Sequence, residues 1–183
     1  HWDDRAARDL SAFAKRWPAD ARAPLAALQN GEALFRLERF EAAGEAFETA
    51  LGVARSQKRD SLERRAARAL PLLADRAADA AVAADSNAHA DHARRFEQVA
   101  ARWPAYEDAA LSQYRAARSW QLAGRPRDAV RAYGALLERH PRGEFARESR
   151  LQVARSWEAL GDSAEAGAAY LAFSAAESDP DNA

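Results

Sequence analysis

Ala117-Arg118-Ser119-Trp120 recurs as Ala154-Arg155-Ser156-Trp157, 37 residues further along the chain. The same step carries Gly124 to Gly161, Ala129 to Ala166 and Tyr133 to Tyr170. Run backwards, it carries Tyr133 to Phe96 and His140-Pro141 to Trp103-Pro104. Trp17-Pro18 closes a similar segment near the start, and Leu10 maps onto Phe47. Periods of this size mark stacked supersecondary units, each unable to cover its own apolar face. The beat breaks once, because Phe47 and Phe96 lie 49 residues apart. The 12 extra residues equal about three helical turns. We place them in 53–84, read as two lengthened helices.

Each unit reads as helix, tight turn, helix, turn. In the clearest one, Ala110, Leu111, Tyr114, Ala117 and Leu122 keep helical spacing over 106–122. Gly124 stops that helix, since glycine takes the left-handed conformation without a steric penalty. Pro126 suits the first position of the next helix, which carries Ala129, Val130, Tyr133, Leu136 and Leu137. Pro141 ends it. The last unit repeats the scheme with Gly161 as the stop and Asp162 as a cap. Small residues at Ala129 and Ala166 allow close helix crossing, and Tyr133 and Tyr170 then fill the groove beside the next unit. The polar stretch 177–183 reads as a frayed tail.

Bulk properties narrow the function. Hydrophobic residues make up 48% of the 183, much of it alanine, and the net charge is -1. Nucleic-acid binders carry a basic excess or a basic face; this chain has no such excess, so no nucleic-acid partner is expected. Arginine supplies nearly all the positive charge, with Lys15 and Lys58 the only lysines, which fits a GC-rich bacterial genome. With no Cys, disulfides and thiolate chemistry are excluded. No apolar run approaches the ~18 residues of a membrane helix. The chain begins at His1 without any Met, which predicts a processed form or an excised piece. The segment before Trp17-Pro18 has the phase of a second helix, so the solenoid is expected to continue upstream.

Catalytic signals are weak. The mixed run Arg59 to Arg68 is a solvated helix face. Paired carboxylates such as Glu41 with Glu45, and Glu144 with Glu148, are exposed helix charges. No phosphate loop or nucleophile elbow is present. His89 and His92, with Asp85 and Asp91, are the one metal-like cluster; they are expected to be solvated histidines at a helix start. No catalytic, cofactor or metal residue is assigned, and the chain is not expected to be an enzyme. Trp120 and Trp157 are expected in the core, Trp17 and Trp103 against the following unit, and Trp2 exposed where a preceding repeat once stacked.

These residues together resemble the tetratricopeptide repeat (TPR) family. Gly31, Leu34, Phe40, Ala43, Phe47, Ala50 and Leu51 carry its pattern, as do Trp120, Gly124, Ala129, Tyr133, Leu137 and Pro141. Trp157, Gly161, Ala166 and Tyr170 fit again, but Ser178 stands at the closing proline. The unit around Phe96 departs, with Asn87 and His92 in place of Gly and Ala. The resemblance implies a right-handed all-α solenoid of antiparallel pairs, about nine helices. Units fall near 1–18, 22–58, 60–104, 105–141 and 143–176. The long period and the closing Arg-Trp-Pro or Arg-His-Pro resemble bacterial envelope TPR proteins, namely the periplasmic partner of the Tol-Pal system and the lipoprotein of the outer-membrane assembly machine. That favours the periplasm or cell envelope over the cytoplasm, and membership of a membrane-associated complex. The family also implies a concave groove, lined by first helices, that takes a peptide or partner helix. Its candidate residues are Leu28, Glu32 and Phe35; Leu111, Tyr114, Arg118 and Gln121; and Leu151, Arg155 and Glu158. Arg118 and Arg155 are repeat-equivalent and could clamp a carboxylate, or pair with a neighbour such as Glu158.

Overall fold

The computed structural model describes residues 2–177, and every regular element among them is an α-helix. They are α1 (Trp2–Arg16), α2 (Ala23–Arg36), α3 (Phe40–Ser56), α4 (Asp60–Ala84), α5 (His89–Arg102), α6 (Ala109–Leu122), α7 (Pro126–Arg139), α8 (Ala146–Ala159) and α9 (Ser163–Glu177). Glu177 ends α9, and the rest of the expected tail, Ser178 included, lies outside the described residues. The chain forms two compact units, His1–Ala80 and Ala81–Ala183. Successive helices are joined by short turns; α1 packs on α2 and α2 on α3 in the first unit, and each of α5 to α8 packs on the helix after it in the second, which is the local architecture of an α-solenoid.

The turns follow from local chemistry. Gly124 and Gly161 adopt φ 67° and 76°, and the N–H of the residue after each, Arg125 and Asp162, closes back on the Trp120 and Trp157 carbonyls at 3.0 and 3.2 Å. This satisfies carbonyls that the helix leaves unpaired. Glu38 and Lys58 hold the same left-handed conformation, both at φ 57°. Pro126 is the first residue of α7, and Asp162 caps α9 by accepting the Glu165 N–H at 3.1 Å.

The closing dipeptides build one device three times. The N–H groups of Asp20, Tyr106 and Gly143 donate to Trp17, Trp103 and His140, and those of Ala23, Ala109 and Ala146 then donate to Asp20, Tyr106 and Gly143. This double turn delays the next helix, so α6 begins at Ala109 rather than at Tyr106 as the apolar spacing suggested. Where the dipeptide is missing the helix runs on. Ala54-Arg55 stand at that place in α3, which reaches 17 residues against 14 for α5 and α7. The 12-residue excess is thus unevenly spread: α4 takes most of it, with 25 residues against 14 in α6. Pro71 sits buried inside α4 and offers no N–H to the Ala67 carbonyl.

Each unit has an alanine-rich core with a few large side chains. In the second, Trp120 and Tyr133 lie among Ala93, Ala117, Ala129 and Ala132. Trp120 Nε1 donates to Glu97 Oε1 of α5 at 2.9 Å. Trp157 is only half-buried rather than core, since Gly134 of α7 stands where Glu97 covers Trp120. Tyr133 is fully buried, but Tyr170 is 37% exposed. Trp17 is likewise more exposed than expected; it packs on Phe13 of its own helix at 5.3 Å and under the Arg16 guanidinium. Trp103 is half-buried beneath Arg102. Trp2 is 90% exposed.

His92 corrects the surface reading of the histidine pair. It is 2% exposed, because it occupies the place of the buried Ala43, Ala129 and Ala166 in the other units. His89 is half-buried and meets the His92 ring edge-on at 6.1 Å.

Candidate functional site

In the first unit, α2, α3 and α4 enclose a cleft of about 290 Å³. Glu32, Phe35 and Arg36 form one wall, Ala69, Leu72 and Leu73 of α4 the other, and Phe47 the back. Helical spacing puts Glu32, Phe35 and Arg36 on one side of α2, and Ala69, Leu72 and Leu73 on one side of α4. Phe47 reaches the back wall because Gly31 has no side chain. A Cβ at Gly31 would lie 2.4 Å from both Cδ2 and Cε2 of the Phe47 ring. Phe35 and Leu72 are each 38% exposed, so two large apolar side chains face solvent across the opening. Phe35 is steadied by an edge contact to Phe40 at 5.6 Å. Charges on the rim are anchored: Glu32 pairs with Arg65, and Arg36 donates to Asp3 at 2.8 Å. Two of the three residues assigned to this unit from sequence, Glu32 and Phe35, line the cleft. Leu28 does not; it is completely buried and offers a partner no surface.

In the second unit, the facing sides of α6 and α8 carry a polar chain. The Tyr133 hydroxyl donates to Gln121 Oε1 at 2.9 Å. Gln121 Nε2 donates to Gln152 Oε1 at 2.9 Å and to Ser156 Oγ at 3.1 Å. Gln152 Nε2 donates in turn to Glu148 Oε1 at 2.5 Å. Burial pushes the Tyr133 phenol far above its ordinary pKa and keeps it a neutral donor. Tyr114 stacks on Phe145 with ring centres 4.8 Å apart and meets Tyr133 edge-on at 6.0 Å. The chain therefore holds α6, α7 and α8 in register.

Of the remaining sequence candidates, Leu111 and Leu151 are half-buried. Arg118 and Arg155 are exposed, and among the described residues no carboxylate stands within ion-pair distance of either. Glu158 accepts from the Tyr170 hydroxyl at 2.9 Å, a bond that raises the Tyr170 pKa. Arg155 stands beside the Tyr170 hydroxyl and pulls its pKa the other way, the weaker of the two effects. Sequence reading missed Phe47, Leu72 and Leu73 in the cleft, and Glu148, Gln152 and Ser156 in the polar chain. The last three sit four residues apart, a spacing that was visible as one helix face. Among the described residues no group of three His, Cys, Asp or Glu side chains could hold a metal ion, and no helix is long and apolar enough to cross a membrane.

No family profile matches the chain, and no curated protein matches its sequence. Among solved structures it is similar to a Podosopora anserina protein assigned as a kinesin light chain with nearly identical TPR-like repeats. Identity is 15% and the TM-score 0.41, over 94% of this chain and 86% of that one. A single-substitution variant of the same protein aligns with the same identity and TM-score over 85% of its length.

Proposed function

We propose that the chain is a protein-binding scaffold, and that the cleft between α2 and α4 takes a large apolar side chain of a partner peptide or helix. The carrying observation is the pair Phe35 and Leu72, exposed on either side of an apolar recess backed by Phe47. Clustered apolar exposure beside anchored rim charges is the pattern of a recognition surface. By itself, the second unit offers the exposed Arg118 and Arg155 as a separate place for an acidic group.

Panning a phage-displayed peptide library against the full chain tests this. Enriched peptides should share a bulky apolar residue and should fail on a Phe35→Glu/Leu72→Glu variant that keeps its helical circular dichroism. Peptides that bind the variant equally well would refute the cleft assignment.

The finer reading is a bacterial multi-protein assembly in the periplasm or cell envelope. Arginine usage and the style of the repeat support it, and cell fractionation of the source organism tests it. The long α4 favours a second reading, in which the chain is a structural subunit of an envelope machine and docks through its outer surface and middle helices. Removing three turns of α4 beyond Leu73, which leaves the cleft wall in place, would then abolish assembly while peptide capture at the cleft survives.

A further inference from the structure

α2 has another working face. Ala27, Asn30 and Leu34 lie on the side of the helix roughly opposite the middle of the Glu32, Phe35 and Arg36 face. They floor a groove between α1 and α3, a cavity of about 470 Å³. One wall is α1, through Asp4, Ala7, Arg8, Ser11 and Lys15. The other is α3, through Ala42, Ala46 and Thr49, with Arg39 just before its start. Both sets follow helical spacing, so each wall is one continuous helix side. Ten to eleven residues of wall span about 15 Å, or three helical turns. One end is closed by the Asp4–Arg39 and Asp3–Arg36 ion pairs at 2.9 and 2.8 Å. These pairs also set the register, which places Asn30 between the levels of Arg8 and Lys15.

Three features define what fits. First, Ala7 and Ala12 on one wall and Ala42 and Ala46 on the other present only methyl groups between the polar side chains, which lets another backbone come close there. Second, Asn30 is 7% exposed and its Oδ1 has no hydrogen-bond partner. A buried amide oxygen weakens the fold unless a donor reaches it. Third, the walls differ in charge. Arg8 and Lys15 are exposed on α1 and, among the described residues, have no carboxylate within ion-pair distance; Glu45 faces them from α3.

We propose that this groove is a second docking surface, on the opposite side of α2 from the cleft, for an amphipathic helix of a protein partner. That helix presents small side chains to the wall alanines. It carries two acidic residues seven positions apart for Arg8 and Lys15. Between them it places a hydroxyl or amide donor for Asn30. This is helix-in-groove recognition, with charge selecting the face the partner presents and the buried amide setting register. The proposal does not depend on the cleft reading, and the two fail separately.

The test uses the full chain and an end-blocked, fluorescein-labelled, alanine-based 18-residue helical peptide, about five turns long. It bears two Glu seven positions apart with a Gln between them. Anisotropy should show saturable binding, at least tenfold weaker when both Glu are replaced by Lys. Arg8→Glu with Lys15→Glu should reverse that order. Asn30→Ala should weaken the Gln peptide fivefold or more, leave an Ala-for-Gln peptide unchanged, and not lower the melting temperature. Phe35→Ala should change none of these. Absence of saturable binding, equal binding of the Glu and Lys peptides, equal binding of a proline-broken peptide, or loss through Phe35→Ala would each overturn the proposal.

Discussion

Substituting Gly31 by Ala would ordinarily stabilise a helix interior by about 1 kcal/mol. Here it should do the reverse. The new Cβ would stand 2.4 Å from two atoms of the Phe47 ring and 3.2 Å from a third, whereas ordinary contact begins near 3.4 Å. Phe47 is 5% exposed, so its ring can retreat only by moving its neighbours or by swinging into the cleft. Overpacking of this kind costs about 1–3 kcal/mol, and two contacts this short argue for the upper end. Subtracting the propensity gain leaves a net loss of about 1–2 kcal/mol. In urea titrations followed by circular dichroism the midpoint should fall with an unchanged slope. The melting temperature should drop by about 2–8 °C for a chain of this size. A double-mutant cycle makes the argument specific. With Phe47→Leu in place the ring is gone, and Gly31→Ala should turn neutral or stabilising. If Gly31→Ala raised the midpoint in the parent chain, or if the cycle showed no coupling, the packing argument would be wrong.

Glu38 holds a left-handed φ of 57° where Gly124 serves the equivalent turn, so Glu38→Gly should stabilise the chain by about 1 kcal/mol in the same titration, while Glu38→Ala should not. Burial raises the Tyr133 pKa, which makes the native chain resist ionisation that unfolded phenols undergo near pH 10. Stability linked to Tyr133 is therefore complete below pH 10 and declines above it. Tyr133→Phe should cost about 1 kcal/mol at pH 8 through the lost bond to Gln121, yet show a shallower alkaline decline; equal slopes would contradict this. The Arg22 side chain, with its backbone N–H, holds the Asp20 carboxyl at about 2 against an ordinary 3.8. Stability linked to Asp20 is thus present above pH 4 and lost as pH falls toward 2. A carbon-13 NMR titration should place its midpoint near 2 and return it toward 3.8 in Arg22→Ala; a wild-type midpoint at 3.8 would refute the pairing.

What the sequence revealed was local. Gly124, Gly161, Pro126 and Asp162 each specify a backbone conformation or a missing donor, and the structure uses them that way. The repeat marks burial at Trp120 and Tyr133 but not at their equivalents Trp157 and Tyr170, where the covering neighbours differ, and side-chain chemistry misled at the histidine pair. His92 aligns with three buried alanines, but two neighbouring histidines suggested a wet helix start. The division of the extra residues between α3 and α4 depended on an absence, the missing proline at Ala54-Arg55, which is harder to weigh than a motif. The cleft was half visible. Glu32 and Phe35 stand out on α2, but Leu28 falls on the side that packs inward. Leu72 and Leu73 lie in the irregular middle, where no repeat-equivalent helix offers a template. Neither Asn30 nor the α1–α3 groove could be inferred, since an unpaired buried amide is visible only once its neighbours are placed.

The length of α4 bears on how such a chain can evolve. It exceeds α6 by eleven residues, 25 against 14. Eleven residues wind through three turns with only about 20° left over. An insertion of that size moves the downstream residues along the helix axis without rotating them, so buried positions on either side of the added stretch keep facing the same way. A gain of nine residues would have turned the downstream face by roughly half a circle and set apolar side chains against water. Selection for intact packing would therefore pass few insertion lengths, and this chain carries one of them.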